Sequence, residues 1–161
     1  MTIVRARLRH GGGGLCAARD AAATGDDGSH TPDDFHLAAA VLLVQAATAD
    51  NCFSQQERQR IEWLCKNYFE LTASEALALI KSAEAEVENS VQLLRYTRTI
   101  KDGFSYEERV HLMEMLWEVV YADNLVETYE ATLMRRIAGL IYVEDRDSGL
   151  ARSRVRAKIK K

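Results

Sequence analysis

The stretch LMEMLWEVVYADNLVETYEATLMRRIAGLIYV, Leu112 to Val143, decides the fold. It reads as a buried helix, a tight Ala122-Asp123-Asn124 turn and a second, amphipathic helix. The earlier stretch LLVQAATADNCFSQQERQRIEWL, Leu42 to Leu64, repeats the device. Asp50 and Glu57 match Asp123 and Glu130 at one shift, 123 − 50 = 73 and 130 − 57 = 73. Leu43/Leu116, Ala49/Ala122, Asn51/Asn124, Phe53/Val126, Ile61/Met134 and Leu64/Ile137 fall into the same register without a gap. Any two helix–turn–helix units share an apolar rhythm. That rhythm does not require the A-D-N tripeptide and the following glutamate to recur, so an internal duplication is expected.

Composition points the same way. The chain has 161 residues, 47% hydrophobic and 28% charged, which is ordinary for one globular domain. A single proline, Pro32, and four of the nine glycines gathered at Gly11 to Gly14 leave the remainder poor in breakers. No N-G or D-G hairpin stands between alternating runs, as a sandwich or barrel would need. The expectation is an all-α, compact bundle of about seven helices with an internal pseudo-two-fold repeat.

Residues 1–30 read as a flexible tail, because a glycine run and the stretch AARDAAATGDDGSH offer no large apolar anchors. The helical domain is expected over residues 31–161. Thr31-Pro32-Asp33-Asp34 has an N-cap residue, a proline suited to the first turn and two acids that complement the helix dipole. The following LAAAVLLVQAA is apolar nearly all round, so this first helix, ending near Ala49, is central. Capping boxes at Ser54–Glu57, Thr72–Glu75 and Ser105–Glu108 open later helices. The second helix buries Ile61, Leu64, Cys65 and Tyr68, with Arg58, Gln59 and Glu62 toward water. The third runs through Leu77, Ile80, Ala83 and Val87 to a break at Asn89-Ser90. Val91, Leu94, Tyr96 or Thr97, and Ile100 mark the fourth, which ends at Asp102-Gly103. The fifth carries Val110, Met113, Leu116, Trp117 and Val120, and the sixth runs from about Glu127 to Tyr142. Asp145 is expected to cap a last helix with Gly149 as its weak point and Leu150, Val155 and Ile159 as its apolar teeth.

Several function classes are excluded. A net charge of −3 gives no global pull toward nucleic acid. No apolar run reaches the roughly 18–20 residues of an integral membrane segment, and no secretory signal is apparent. Cys16, Cys52 and Cys65 form no C-x-x-C spacing, which argues against disulfides or a zinc ribbon and for a cytoplasmic protein with reduced thiols. No G-x-S-x-G, P-loop or dinucleotide fingerprint is present, so the chain reads as no enzyme. Cys52 lies in the first acidic turn, where a thiol would meet a thiol-seeking oxyanion; Cys65 reads as core. The basic ending, with Arg152, Arg154, Arg156, Lys158, Lys160 and Lys161, is either an anion contact or a solvated helix end.

The paired A-D-N turns carry the chemistry that remains. An aspartate at the C-terminal end of a helix opposes that helix's dipole unless something compensates. Glu127, Glu130 and Glu118 add carboxylates around Asp123, and a hard divalent cation resolves such repulsion. The competing reading is that each aspartate caps the next helix while Glu57 and Glu130 complete its first turn. These are not EF-hand loops, because the D-x-D-x-D-G ladder is missing.

The segment RYTRTIKDGFSYEERVHLMEMLWEVVYADNLVETYEATLMRRIAGLIYV resembles the TerB-like family, helical domains associated with tellurite resistance. Its F-S-x-E-E-R and L-W-E-V-x-Y-A-D-x-x-x-x-x-x-E-x-x-L-x-R-R-I-A runs carry the likeness, which extends over about residues 34–145. The resemblance implies an all-helical fold, a pair of acidic motifs holding a divalent metal ion, and no catalytic role. Carried over by position, the metal ligands are Asp50, Glu57, Asp123 and Glu130, with Glu127 as an additional candidate. Calcium, magnesium, manganese and zinc are not distinguished by this donor set. Asn51 and Asn124 replace the family's usual glycines, and Asn tolerates the left-handed turn. Ser54 stands where the second copy has Glu127, so the first site is poorer in charge. The ending DSGLARSRVRAKIKK departs from the family's usual one. The function expected is a non-catalytic, stress-associated protein of the tellurite-resistance type with an unidentified protein partner. The alternative is a metal-free helical protein–protein interaction module.

Overall fold

The computed structural model describes residues 32–49, 51–88, 93–122 and 128–161, and all further statements concern these. They form seven helices and no strand: α1 Pro32–Ala47, α2 Gln55–Tyr68, α3 Ala73–Glu88, α4 Leu93–Gly103, α5 Tyr106–Val120, α6 Thr128–Leu140 and α7 Asp145–Ile159. The all-α bundle expected from composition is the one observed. The expected tail over residues 1–30, the Thr31 cap and the Asn89-Ser90 break fall outside the described residues.

α1 is the centre because its sequence leaves it no alternative. From Ala38 to Ala47 every residue is buried except Gln45, which is half-buried. An apolar helix of this kind cannot lie on a surface, so α2, α3, α4, α5 and α6 pack around it. Three successive alanines, Ala38, Ala39 and Ala40, let those neighbours approach closely. α5 is the second core element, with Leu112, Met113, Met115, Leu116, Trp117, Val119 and Val120 buried. At the expected repeat positions Leu43 and Leu116, Ile61 and Met134, and Leu64 and Ile137 are all fully enclosed. Enclosure at paired positions is common to helical cores and does not by itself establish a two-fold axis.

Local signals hold at most helix starts. The boxes at Ser54–Glu57 and Ser105–Glu108 are formed reciprocally. At Thr72, the backbone N–H donates to Glu75 Oε2 at 2.8 Å and Thr72 Oγ1 accepts from the Glu75 N–H at 3.3 Å. The last helix departs from expectation. Its N-cap is Glu144, which makes no side-chain capping bond, and Asp145 is already helical. Its buried teeth are Ser148, Ala151 and Val155, whereas Leu150 and Ile159 are exposed. Leu77 and Leu94 are exposed as well, because Ala76, Ile80 and Ala83 on α3 and Tyr96, Thr97 and Ile100 on α4 fill the space against the core. Arg58 faces water only in part: it pairs with Glu84 of α3, and its guanidinium lies 5.0 Å from the Phe53 ring centroid.

Gly103, which ends α4, sits against the Phe35 ring of α1, and a Cβ there would overlap that ring. Phe35 is in turn fixed edge-on to Phe104, with centroids 5.8 Å apart. Gly103→Ala is therefore expected to destabilise the fold by about 1–3 kcal/mol through overpacking, read as a lower urea midpoint at unchanged slope.

Candidate functional site

α1 ends where the sequence supplies a residue that tolerates the left-handed region. Asn51 has φ 63°, and its N–H donates to the Thr48 carbonyl at 3.0 Å. The chain then turns into α2 through the Ser54 cap. The Glu57 N–H donates to Ser54 Oγ at 3.2 Å. The Ser54 N–H and hydroxyl both donate to Glu57 Oε2, at 2.8 and 2.7 Å. These bonds fix Glu57 in one orientation, and it is only 1% exposed. A carboxylate is tolerated there because it accepts from the N-cap N–H and hydroxyl of Ser54 and lies at the positive end of the α2 dipole.

Glu130 occupies the matching place in the first turn of α6 and is 2% exposed. Asp50, Asp123 and Glu127 lie outside the described residues, so the structure places two of the five sequence-derived ligands. Glu108 supplies an internal comparison. It is 3% exposed and completes its own box on Ser105, with no A-D-N turn ahead of it. A first-turn glutamate is thus buried in this fold without an A-D-N turn ahead of it. Among the described residues, no group of three or more His, Cys, Asp or Glu is disposed to hold a metal ion. Glu57 and Glu130 nonetheless fit the donor chemistry of a hard cation: they are enclosed carboxylates next to the turns that carry the aspartates.

Glu118 does not join that set. Its Oε1 accepts from Lys158 Nζ at 3.1 Å, and its Oε2 lies 3.9 Å from Arg60 Nη1. One turn earlier, Glu114 Oε1 accepts from Arg154 Nη1 at 2.6 Å, and Glu114 Oε2 is 3.9 Å from His111 Nδ1. Glu114 and Glu118 on α5 are thus matched, rung for rung, by Arg154 and Lys158 on α7. Sequence reading missed this ladder, since its partners stand 40 residues apart. The four-residue spacing in both helices was its one visible sign. Of the two readings of the basic ending, a wholly solvated helix end does not hold for Arg154 and Lys158, which meet carboxylates of α5.

Burial works against the Lys158 charge, and the Glu118 carboxylate more than offsets this, so Lys158 titrates above the ordinary amine range. Burial, reinforced by Glu118, pushes the Tyr68 hydroxyl up. His111 packs 4.6 Å from the Tyr68 ring, and burial holds its imidazole below its ordinary value despite the nearby Glu114. Cys52 is exposed and Cys65 is buried, as expected. Burial raises the Cys65 thiol to about 12, which makes it inert as a nucleophile.

A family model described as Tellurite resistance protein TerB matches residues 36–153, well over half of the chain. That span runs past the 34–145 read from sequence and takes in the first part of α7. No curated protein and no solved structure shows a match. No helix among the described residues is long and apolar enough to cross a membrane.

His111 gives the site region a pH dependence of fixed sign. Its folded-state pKa lies below the ordinary 6.5, so the unfolded chain takes up the proton first as pH falls. The stability from the neutral imidazole is present above 6.5 and is lost as pH falls through the lower, folded value. The melting temperature is expected to drop as the pH is lowered below 6.5, and His111→Gln should flatten that part of the profile.

Proposed function

This chain belongs to the tellurite resistance protein TerB family, and we propose that it is a non-catalytic, cytoplasmic, stress-associated member. In this reading it holds a divalent cation through Asp50 and Glu57 at one inter-helix turn and Asp123 and Glu130 at the other. The observation that carries the proposal is the enclosure of both Glu57 and Glu130, at 1% and 2% exposure, in first turns that follow the recurring A-D-N tripeptide.

What the residues would do follows from where they sit. Ser54 holds Glu57 in one rotamer, so little side-chain entropy remains to be lost when a ligand is added. Glu127 in place of serine makes the second turn the richer donor set. A bound divalent cation would neutralise carboxylates that otherwise repel and would tie each turn to the helix after it. The two turns would then present a fixed surface to a protein partner.

Two observations favour the second reading, a metal-free interaction module. Glu108 is buried with the same capping box and no A-D-N turn ahead of it, and Trp63 remains 48% exposed on α2. An exposed tryptophan is a common anchor of protein interfaces.

Calorimetric titration of the chain with calcium, magnesium, manganese and zinc separates the two. The cation reading expects heat and a raised melting temperature in the wild type, lost in Asp123→Ala and less affected in Asp50→Ala. Absence of heat and of any melting shift in the wild type and in Asp123→Ala alike leaves the interaction module.

A further inference from the structure

The C-terminal helix is held to the bundle by a small apolar contact and by charge. Its buried side chains are small, Ser148, Ala151 and Val155, so little hydrophobic free energy fixes it. The ladder Arg154–Glu114 and Lys158–Glu118 carries the remainder, with Arg60, His111 and Tyr68 facing the same two carboxylates from α2 and α5. Both cations are more than half exposed, Arg154 at 57% and Lys158 at 52% of the side chain, over carboxylates that are only 12% and 10% exposed, so salt reaches each pair from its cation side.

The α5 surface beneath is unusual. Trp117 is 4% exposed, and its Nε1–H is buried with no hydrogen-bond partner among the described residues. A donor left in that state opposes docking and is relieved once water reaches it. Arg152 closes over it, with its guanidinium 4.8 Å from the Trp117 ring centroid and its Nε donating to the Tyr121 hydroxyl at 2.8 Å.

The two ends of α7 are anchored differently. The Tyr106 hydroxyl donates to Asp147 Oδ2 at 2.6 Å and accepts from the Glu144 N–H at 3.2 Å, while Arg109 Nη1 donates to the Ile141 carbonyl at 2.7 Å. These neutral and charge-assisted bonds hold the entry turn. Between that anchored turn and the ladder stands Gly149, in mid-helix and exposed. A Cβ at Gly149 would meet nothing within 4 Å, so packing does not call for glycine there. A helix-interior glycine with no packing reason weakens the helix at that point.

We propose that the part of α7 after Gly149 is a salt-releasable strap over the Trp117 face of α5, hinged at Gly149 while the Tyr106 anchor keeps its base in place. Release uncovers Trp117 with Glu114 and Glu118, an acidic and aromatic face, and leaves the core around α1 intact. The inference stands independently of the cation reading.

Hydrogen exchange on the full chain, followed by peptide mass spectrometry at low and about 1 M salt, tests it. Amides of residues 151–159 are expected to exchange roughly two- to thirty-fold faster at high salt, the range that two ion pairs with exposed cations support. The amides of α1 should be unchanged. Arg154→Gln/Lys158→Gln should reproduce the fast exchange at low salt, with the α1 amides again unchanged. Gly149→Ala should slow it at both. In a Trp63→Phe background the Trp117 emission should shift to the red as salt rises. Equal acceleration in every helix would mean global loosening and overturns the strap, as does exchange in α7 that neither salt nor the double substitution changes.

Discussion

A helix with no polar side has to be enclosed, and α1 is such a helix. Ala38 to Val44 are essentially inaccessible to water, so at least three other helices must cover them, and five do. That requirement sets the order of the bundle more than any loop does. It also fixes where the acidic turn begins, because the enclosed segment ends at Ala47 and the chain turns through Asn51 into α2. The placement of Glu57 at the edge of the core is thus a consequence of how α1 is buried.

Once the core is set, carboxylates near it are handled in two ways. Glu57 and Glu108 are buried at helix starts, where backbone N–H groups and the serine cap stabilise the charge locally. Glu114 and Glu118 lie mid-helix on α5, where no orphan N–H is available, and long-range cations from α7 meet them instead. The first solution costs nothing elsewhere in the fold. The second makes the docking of α7 depend on ionic strength and sets it apart from the other helices around α1.

Family membership and the structure converge on the same all-helical domain, with the family match extending into α7. The tellurite-resistance description attaches to the family, and a shared fold leaves the chemistry of a particular member to its own side chains. In the reading proposed for this chain those are the enclosed first-turn glutamates and the aspartates of the two A-D-N turns.

Much of the fold was legible in the sequence because its signals are local. Capping at Ser54, Thr72 and Ser105, the left-handed Asn51 and the all-round apolar α1 each involve residues within a few positions of one another, where propensity and periodicity act. The acidic candidates could be named for the same reason, from a tripeptide and a spacing. What tertiary structure alone decided were contacts between distant residues: the exposure of Leu77, Leu94, Leu150 and Ile159, the Arg58–Glu84 pair, and the match of Glu114 and Glu118 to Arg154 and Lys158. A helix's own sequence tells which side chains share a face. Which neighbour that face meets depends on how every other helix has been packed around α1.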